Sequence, residues 1–221
     1  MQDGQNLFDP ATAFGGNHWR IGETMDERIG AGRIPPLIIV GITNAGVRRI
    51  GEYTPTRSKK LRKGGKAERY AQMIAREIKP LVDHEYRTLK AAAHTGIAGS
   101  SLGALVSLTT ALDYPRVFGK VALLSPSVWW DEGAILQLIR EYRAKARPRI
   151  WLDMGTAEGE NPGRCVDEAR MLRDALIEKG WREGEDLRFE IVDGANHSEG
   201  AWAARFGTVV EWLYGQATAT R

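Results

Sequence analysis

Gly99-Ser100-Ser101-Leu102-Gly103 sets a serine between glycines where an apolar run that reads as a strand, His94 to Ala98, gives way to a helical run, Leu102 to Tyr114. A serine on such a sharp strand-to-helix turn carries its hydroxyl out at the carboxyl edge of a sheet, and the glycines let the backbone pass closely. Ser101 is therefore the candidate nucleophile for attack on an acyl carbon. A free hydroxyl is almost wholly protonated at neutral pH, so this chemistry also needs a base.

Of the four histidines, His84 ends an amphipathic helix and His94 opens a strand, both structural positions. His18 sits in the glycine-rich loop Gly15 to Trp19 without a sequence partner. His197 lies in the polar turn Asp193 to Ser198, after the last strand and before the last helix, which brings it to the same sheet edge as Ser101. A carboxylate between the two is needed to hold the imidazole tautomer and stabilise its charged form. Glu158, in the loop just past the strand Arg149 to Met154, stands where such an acid belongs, and Asp153 inside that strand is the alternative. The order serine, acid, histidine is the one used by α/β hydrolases, counting from the nucleophile. A tetrahedral oxyanion needs two N–H donors. One is the amide of Leu102 at its helix start, and the early glycine turn Asp3-Gly4-Gln5 is placed to supply the other.

These groups must be held by a scaffold. Short apolar, often β-branched runs alternate with longer amphipathic ones from about Pro36 onward, the pattern of strands feeding helices in a mostly parallel sheet. Expected strands are Leu37 to Thr43, His94 to Ala98, Lys120 to Ser125, Arg149 to Met154 and Leu187 to Val192. Expected helices are Ala67 to Tyr86, Leu102 to Tyr114, Ala134 to Ala146, Cys165 to Lys179 and Ala201 to Tyr214. The first thirty-five residues are mostly turn chemistry, so the chain is expected to begin inside its fold, with an amino-terminally truncated start.

At 221 residues and 43% apolar composition, the chain suits one domain, residues 1–221, with one sizeable core. A net charge of +3, from 31 basic against 28 acidic residues, does not point to nucleic acid. The basic run Arg57 to Lys66 reads as a solvated loop, with a rim attracting anionic substrates as the sharper alternative. One cysteine, Cys165, excludes an internal disulfide and a multi-thiolate metal site, and suits a reducing compartment. No stretch of about 18 apolar residues could span a bilayer, so no membrane partner is expected, and cytoplasmic is the default for the chain as given. No histidine pair has HxH or HxxxH spacing and there is no GxxxxGK[ST] loop, so neither a metal nor a nucleotide is expected.

With those residues in hand, the chain resembles the esterase family of α/β hydrolases that includes siderophore esterases, S-formylglutathione hydrolases, feruloyl esterases and mycobacterial mycolyltransferases. The likeness rests on Asp3-Gly4-Gln5-Asn6-Leu7-Phe8-Asp9, Tyr86-Arg87-Thr88, Gly99 to Ala104, Leu124-Ser125-Pro126-Ser127-Val128-Trp129-Trp130, Asp153 to Glu158 and Asn196 to Trp202. The resemblance implies a three-layer α/β hydrolase fold with a mostly parallel sheet, here lacking the family's first strands. It also implies a Ser101, His197, Glu158 triad, with the oxyanion held by the Gln5 and Leu102 amides. Trp19, Trp129 and Trp130 look like pocket walls in this family, with core packing as the alternative, and Trp202 shields the base or anchors the last helix. The function so implied is hydrolysis of a small-molecule carboxylic ester through an acyl-serine, without cofactor. Acyl transfer to a sugar or other alcohol, and a binding protein with a dead site, are the alternatives.

Overall fold

The computed structural model describes residues 1–215. Four strands, β1 (Gly96–Ser100), β2 (Lys120–Leu124), β3 (Arg149–Gly155) and β4 (Leu187–Val192), form one parallel sheet in the order β1-β2-β3-β4. Each neighbour is also the next in sequence, and the registers Ser100 to Leu124, Leu124 to Asp153 and Gly155 to Val192 bring the carboxyl ends into line. Every connection must therefore cross over as a helix on one side of the sheet. These helices are α5 (Leu102–Asp113), α6 (Ala134–Glu141) and α7 (Pro162–Glu178).

The period-2 geometry of a strand separates the two layers of core. Val121, Leu123, Ile150 and Leu152 pack beneath the crossover helices. Ala122, Leu124 and Trp151 face the opposite side, where α1 (Ile21–Gly30) and α8 (Glu199–Tyr214) cover them with Met25, Trp202, Phe206, Val209 and Val210. Three layers result, as expected, although α1 falls in a region read as turns. The one-turn helix α2 (Arg49–Glu52) also falls where no helix is expected.

The expected helix Ala67 to Tyr86 is present with an interruption: α3 (Ala67–Met73) and α4 (Lys79–Glu85) are joined by a π-helical turn, Ile74–Ile78. Pro80 has no N–H to donate and its ring would strike the carbonyl of Arg76. The helix widens just before it, and Lys79 N donates to Ile74 O, five residues back. Elsewhere α6 stops at Glu141, where Tyr142 turns extended, short of the expected Ala146. In contrast α7 starts early, since Asn161 Oδ1 accepts from Arg164 N and Pro162 is pre-set for the first turn.

Two expected strands are corrected. His94 belongs to a 3-10 turn, its N–H given to Ala91 O, and β1 begins at Gly96. Leu37 to Thr43 forms no strand of the sheet. Residues 1–4 lie between this segment and β1: Gln2 N donates to Ala98 O, while Ile42 N donates to Met1 O and Gly4 N to Ile42 O. These bonds serve Ile42 but provide no ladder for Leu37, Ile38 and Ile39. Those three instead line an apolar cavity of about 400 Å³ together with Ile97, Ile74 and Phe206.

Leu123 is fully buried at the centre of the sheet, between Gly99 of β1 and Leu152 of β3. Leu123→Ala is expected to cost about 2–5 kcal/mol of unfolding free energy, read as a lower urea midpoint with an unchanged denaturant slope.

Candidate active site

All the candidate groups sit at the carboxyl edge of the sheet, because a parallel sheet delivers every strand-to-helix loop to one side. Ser101 follows β1, Ser125 and Ser127 follow β2, Glu158 follows β3 and His197 follows β4. Ser101 has φ 56° and ψ −126°, a left-handed backbone unusual outside glycine, and its N–H is tied to Leu124 O at 3.0 Å. Gly99 is sterically required, and Gly103 leaves little room for a side chain. A Cβ on Gly99 would lie 2.6 Å from the backbone carbon of Gly103, and one on Gly103 would lie 3.1 Å from Gln2 Cβ and 3.2 Å from Asp3 Oδ2.

Those contacts seat the amino-terminal loop against the serine turn. Asp3, itself at φ 52°, holds this loop through a bidentate pair with Arg49 at 2.7 and 2.8 Å and a bond from Asn44 Nδ2 at 2.7 Å. Gln5 Oε1 accepts from Asn44 N. The Gln5 and Leu102 amides donate no backbone hydrogen bond among the described residues. For Leu102, first residue of α5, that is the ordinary state of a helix start.

Glu158 and His197 are brought together. Glu158 is buried, 2% exposed, and its Oε2 faces His197 Nδ1 at 2.8 Å. Its other oxygen accepts from Gly155 N at 3.0 Å and from the Ser125 hydroxyl. Burial raises the Glu158 carboxyl, but the bonds from His197, Ser125 and Gly155 outweigh it and hold the group below its ordinary value. His197 is more open, and its ring rests edge-on against Trp202 at 4.9 Å. With Nδ1 donating to the carboxylate, Nε2 carries the free lone pair.

Asp153, the other candidate acid, does not reach His197 in any hydrogen bond or ion pair among the described residues. Its carboxylate is occupied by Arg205 Nη2 at 2.8 Å and Trp151 Nε1 at 2.8 Å. Ser101 Oγ is also not bonded to His197, its side-chain partner being Ser127 Oγ at 3.2 Å. Catalytic hydrogen bonds commonly tighten only when substrate is present.

The three tryptophans named as pocket walls divide. Trp19 is buried against Trp202 and Phe206, and Trp130 is buried with its indole N–H given to Thr56 O. Trp129 exposes 45% of its surface beside Trp130. His84 and His94 are exposed, away from this edge, and His18 lies near Glu23 of α1. Sequence reasoning missed Ser125 and Arg205. The available signal is Trp202 followed three residues later by Arg205, which places both on one face of α8. Both donate to Ser125 Oγ, each at 2.9 Å.

A parallel sheet with helices on both faces and a serine on the turn after β1 is the architecture of the α/β-hydrolase esterases. The BES protein from Bacillus cereus superposes with a TM-score of 0.74 at 21% identity, over 97% of this chain and 83% of that one. The enterobactin esterase from Shigella flexneri gives a TM-score of 0.74 at 23% identity, over 96% of this chain and 51% of that one. The chain belongs to the esterase family: the family model described as "Putative esterase" matches residues 1–213. It is 27% identical to YbbA of Bacillus subtilis over its whole length and 86% of that protein. It is 30% identical to the iron(III) salmochelin esterase of Escherichia coli over 90% of this chain and 50% of that one. The chain thus spans about half the length of the two siderophore esterases.

Because the folded-state Glu158 carboxyl titrates below its ordinary value, its contribution to stability is complete above the ordinary carboxylate range. That contribution is lost as pH falls through the depressed value. In urea unfolding, Glu158→Gln is expected to show its largest deficit against the parent near pH 7, shrinking toward about pH 3.

Proposed function

We propose that this protein is a serine carboxylic ester hydrolase in which Ser101 is the nucleophile, His197 the base and Glu158 the acid that orients it. The observation that carries this reading is the 2.8 Å pairing of a buried carboxylate with a solvent-facing imidazole at the same sheet edge as a serine of positive φ. Rotation of the Ser101 side chain away from Ser127 presents its proton to His197 Nε2. Attack on the ester carbonyl then forms the Ser101 Oγ to carbon bond as His197 takes the proton. Glu158 stabilises the imidazolium that results, and the amides of Gln5 and Leu102 receive the oxyanion. Return of the proton from His197 to the ester oxygen breaks the bond to the alcohol and leaves an acyl-serine. Water, deprotonated by the same imidazole, attacks the acyl carbon, and return of that proton to Ser101 Oγ breaks its bond to the acyl group and releases the acid.

For the substrate we place first the siderophore esters for which the salmochelin and enterobactin relatives are named. Two features of this chain support an anionic or aromatic ester. The basic loop carrying Arg57, Lys59, Lys60, Arg62 and Lys63 is docked through Thr56 onto Trp130, and exposed Trp129 stands beside that indole, the two rings tilted at 55° with centroids 5.8 Å apart. This loop attracts anions and the indole offers an apolar wall. The hydrophobic body of the substrate lies on Trp129, while its ester reaches Ser101.

Replacing Ser101 with Ala is expected to lower p-nitrophenyl acetate hydrolysis by about 10³-fold or more while leaving thermal unfolding nearly unchanged. Turnover retained within about tenfold would remove the serine mechanism. In a panel of esters, Trp129→Ala is expected to raise KM several-fold for aromatic esters and to leave acetate esters near the parent value. An equal change for both would take Trp129 out of the binding wall.

A further inference from the structure

Behind the Glu158–His197 pair lie two buried charges that the mechanism above does not use, Asp153 of β3 and Arg205 of α8, 0% and 8% exposed. Arg205 Nη2 carries two hydrogens. One goes to Asp153 Oδ1 at 2.8 Å and the other to Ser125 Oγ at 2.9 Å, while Nη1 donates to Ala201 O. Glu158 Oε1 stands 4.0 Å from the same nitrogen, beyond hydrogen-bond range.

Ser125 completes the arrangement. A hydroxyl accepts two hydrogen bonds and donates one. Its acceptor sites are filled by Trp202 Nε1 and Arg205 Nη2, so its single proton goes to Glu158 Oε1. The guanidinium therefore reaches Glu158 as a hydrogen bond relayed by a neutral group, and its charge is matched by Asp153. Burial outweighs the pull of Arg205, the Trp151 indole and the Ser125 amide and leaves the Asp153 carboxyl above its ordinary value. All three of those partners are donors, which is the environment of a carboxylate anion.

Two carboxylates and one guanidinium leave one negative charge beside neutral His197. When the imidazole takes the Ser101 proton, the buried cluster becomes neutral. Without the charge on Asp153, Arg205 would instead cancel Glu158, and proton transfer would leave a net cation in a poorly solvated site. We propose that Asp153 is a positioning residue for ester hydrolysis: it absorbs the charge of Arg205 and so leaves that of Glu158 free to stabilise the His197 imidazolium. This rests on the Ser101, His197, Glu158 reading. His197 is faced by Glu158 from the loop after β3 and by Glu199 from α8. Glu199 is raised by burial and bonded to Asn6 Nδ2, and it is the same in every variant below.

The test is the pH dependence of kcat/KM for p-nitrophenyl acetate in the parent, in Asp153→Asn and in the charge-balanced double variant Asp153→Asn with Arg205→Met. In the single variant the imidazolium loses a counter-charge. The acid limb is then expected to move to lower pH by about one unit, and kcat to fall about tenfold with KM unchanged. In the double variant the competing cation is gone as well, and the limb returns to within about half a unit of the parent with most of kcat recovered. A limb that stays in place in Asp153→Asn, or a double variant displaced as far as the single, overturns the proposal. Should Asp153→Asn fail to fold, the double variant decides alone: displacement by more than about half a unit overturns it and less supports it. Fluorophosphonate labelling of parent Ser101 separates the two levels. A labelled enzyme with an unmoved limb removes only the role of Asp153, whereas an unlabelled serine removes the underlying mechanism.

Discussion

Glu158 is a carboxylate withdrawn from water beside an imidazole that keeps contact with it, and the carboxyl edge of the sheet is organised to make that tolerable. An unpaired buried charge costs several kcal/mol, so both oxygens of Glu158 are matched by three donors: Gly155 N, Ser125 Oγ and His197 Nδ1. Each donor arrives from a different strand end. The requirement thus fixes the relative placement of the turns after β2, β3 and β4, and with it the orientation of His197.

The same constraint reaches into the core on the α1 and α8 side. Trp202 serves at once as an apolar partner of Trp19, as the edge-on support of the His197 ring and as a donor to Ser125. Arg205, one turn along α8, is accommodated by Asp153, which stands toward the carboxyl end of β3. A charged residue in a central parallel strand is exceptional, since both faces of such a strand are buried. Here it is explained by the polar cluster under the site. The amino-terminal loop is fixed independently, through Asp3 with Arg49 and Asn44, and by the close approach of Gln2 to Gly99 and Gly103.

Much of this was legible in the sequence because local patterns coincided with the tertiary structure. β2 and β3 are largely apolar runs and β4 alternates apolar with charged residues, all bounded by turn residues, and they appear within a residue or two of where those patterns lie. That Ser101, Glu158 and His197 share one sheet edge was legible from position, since a loop at a strand's carboxyl end is brought there by the topology. What was not legible depends on partners distant in sequence. Leu37 to Thr43 has strand composition, yet its hydrogen bonding is decided by residues 1–4. Trp19 and Trp130 differ from Trp129 in burial, not in type. Asp153 and Glu158 are both acids near one strand end, and they were separated only by which faced Arg205 and which faced His197.

The account turns on Ser101 being activated by the Glu158-oriented imidazole. The most direct measurement is site-mapped mass spectrometry after brief exposure to a fluorophosphonate, comparing the parent with His197→Ala. A single adduct on Ser101 in the parent, slowed by about 10³-fold in His197→Ala, is the predicted result. Labelling of another residue, or equal labelling of Ser101 in both proteins, would contradict it.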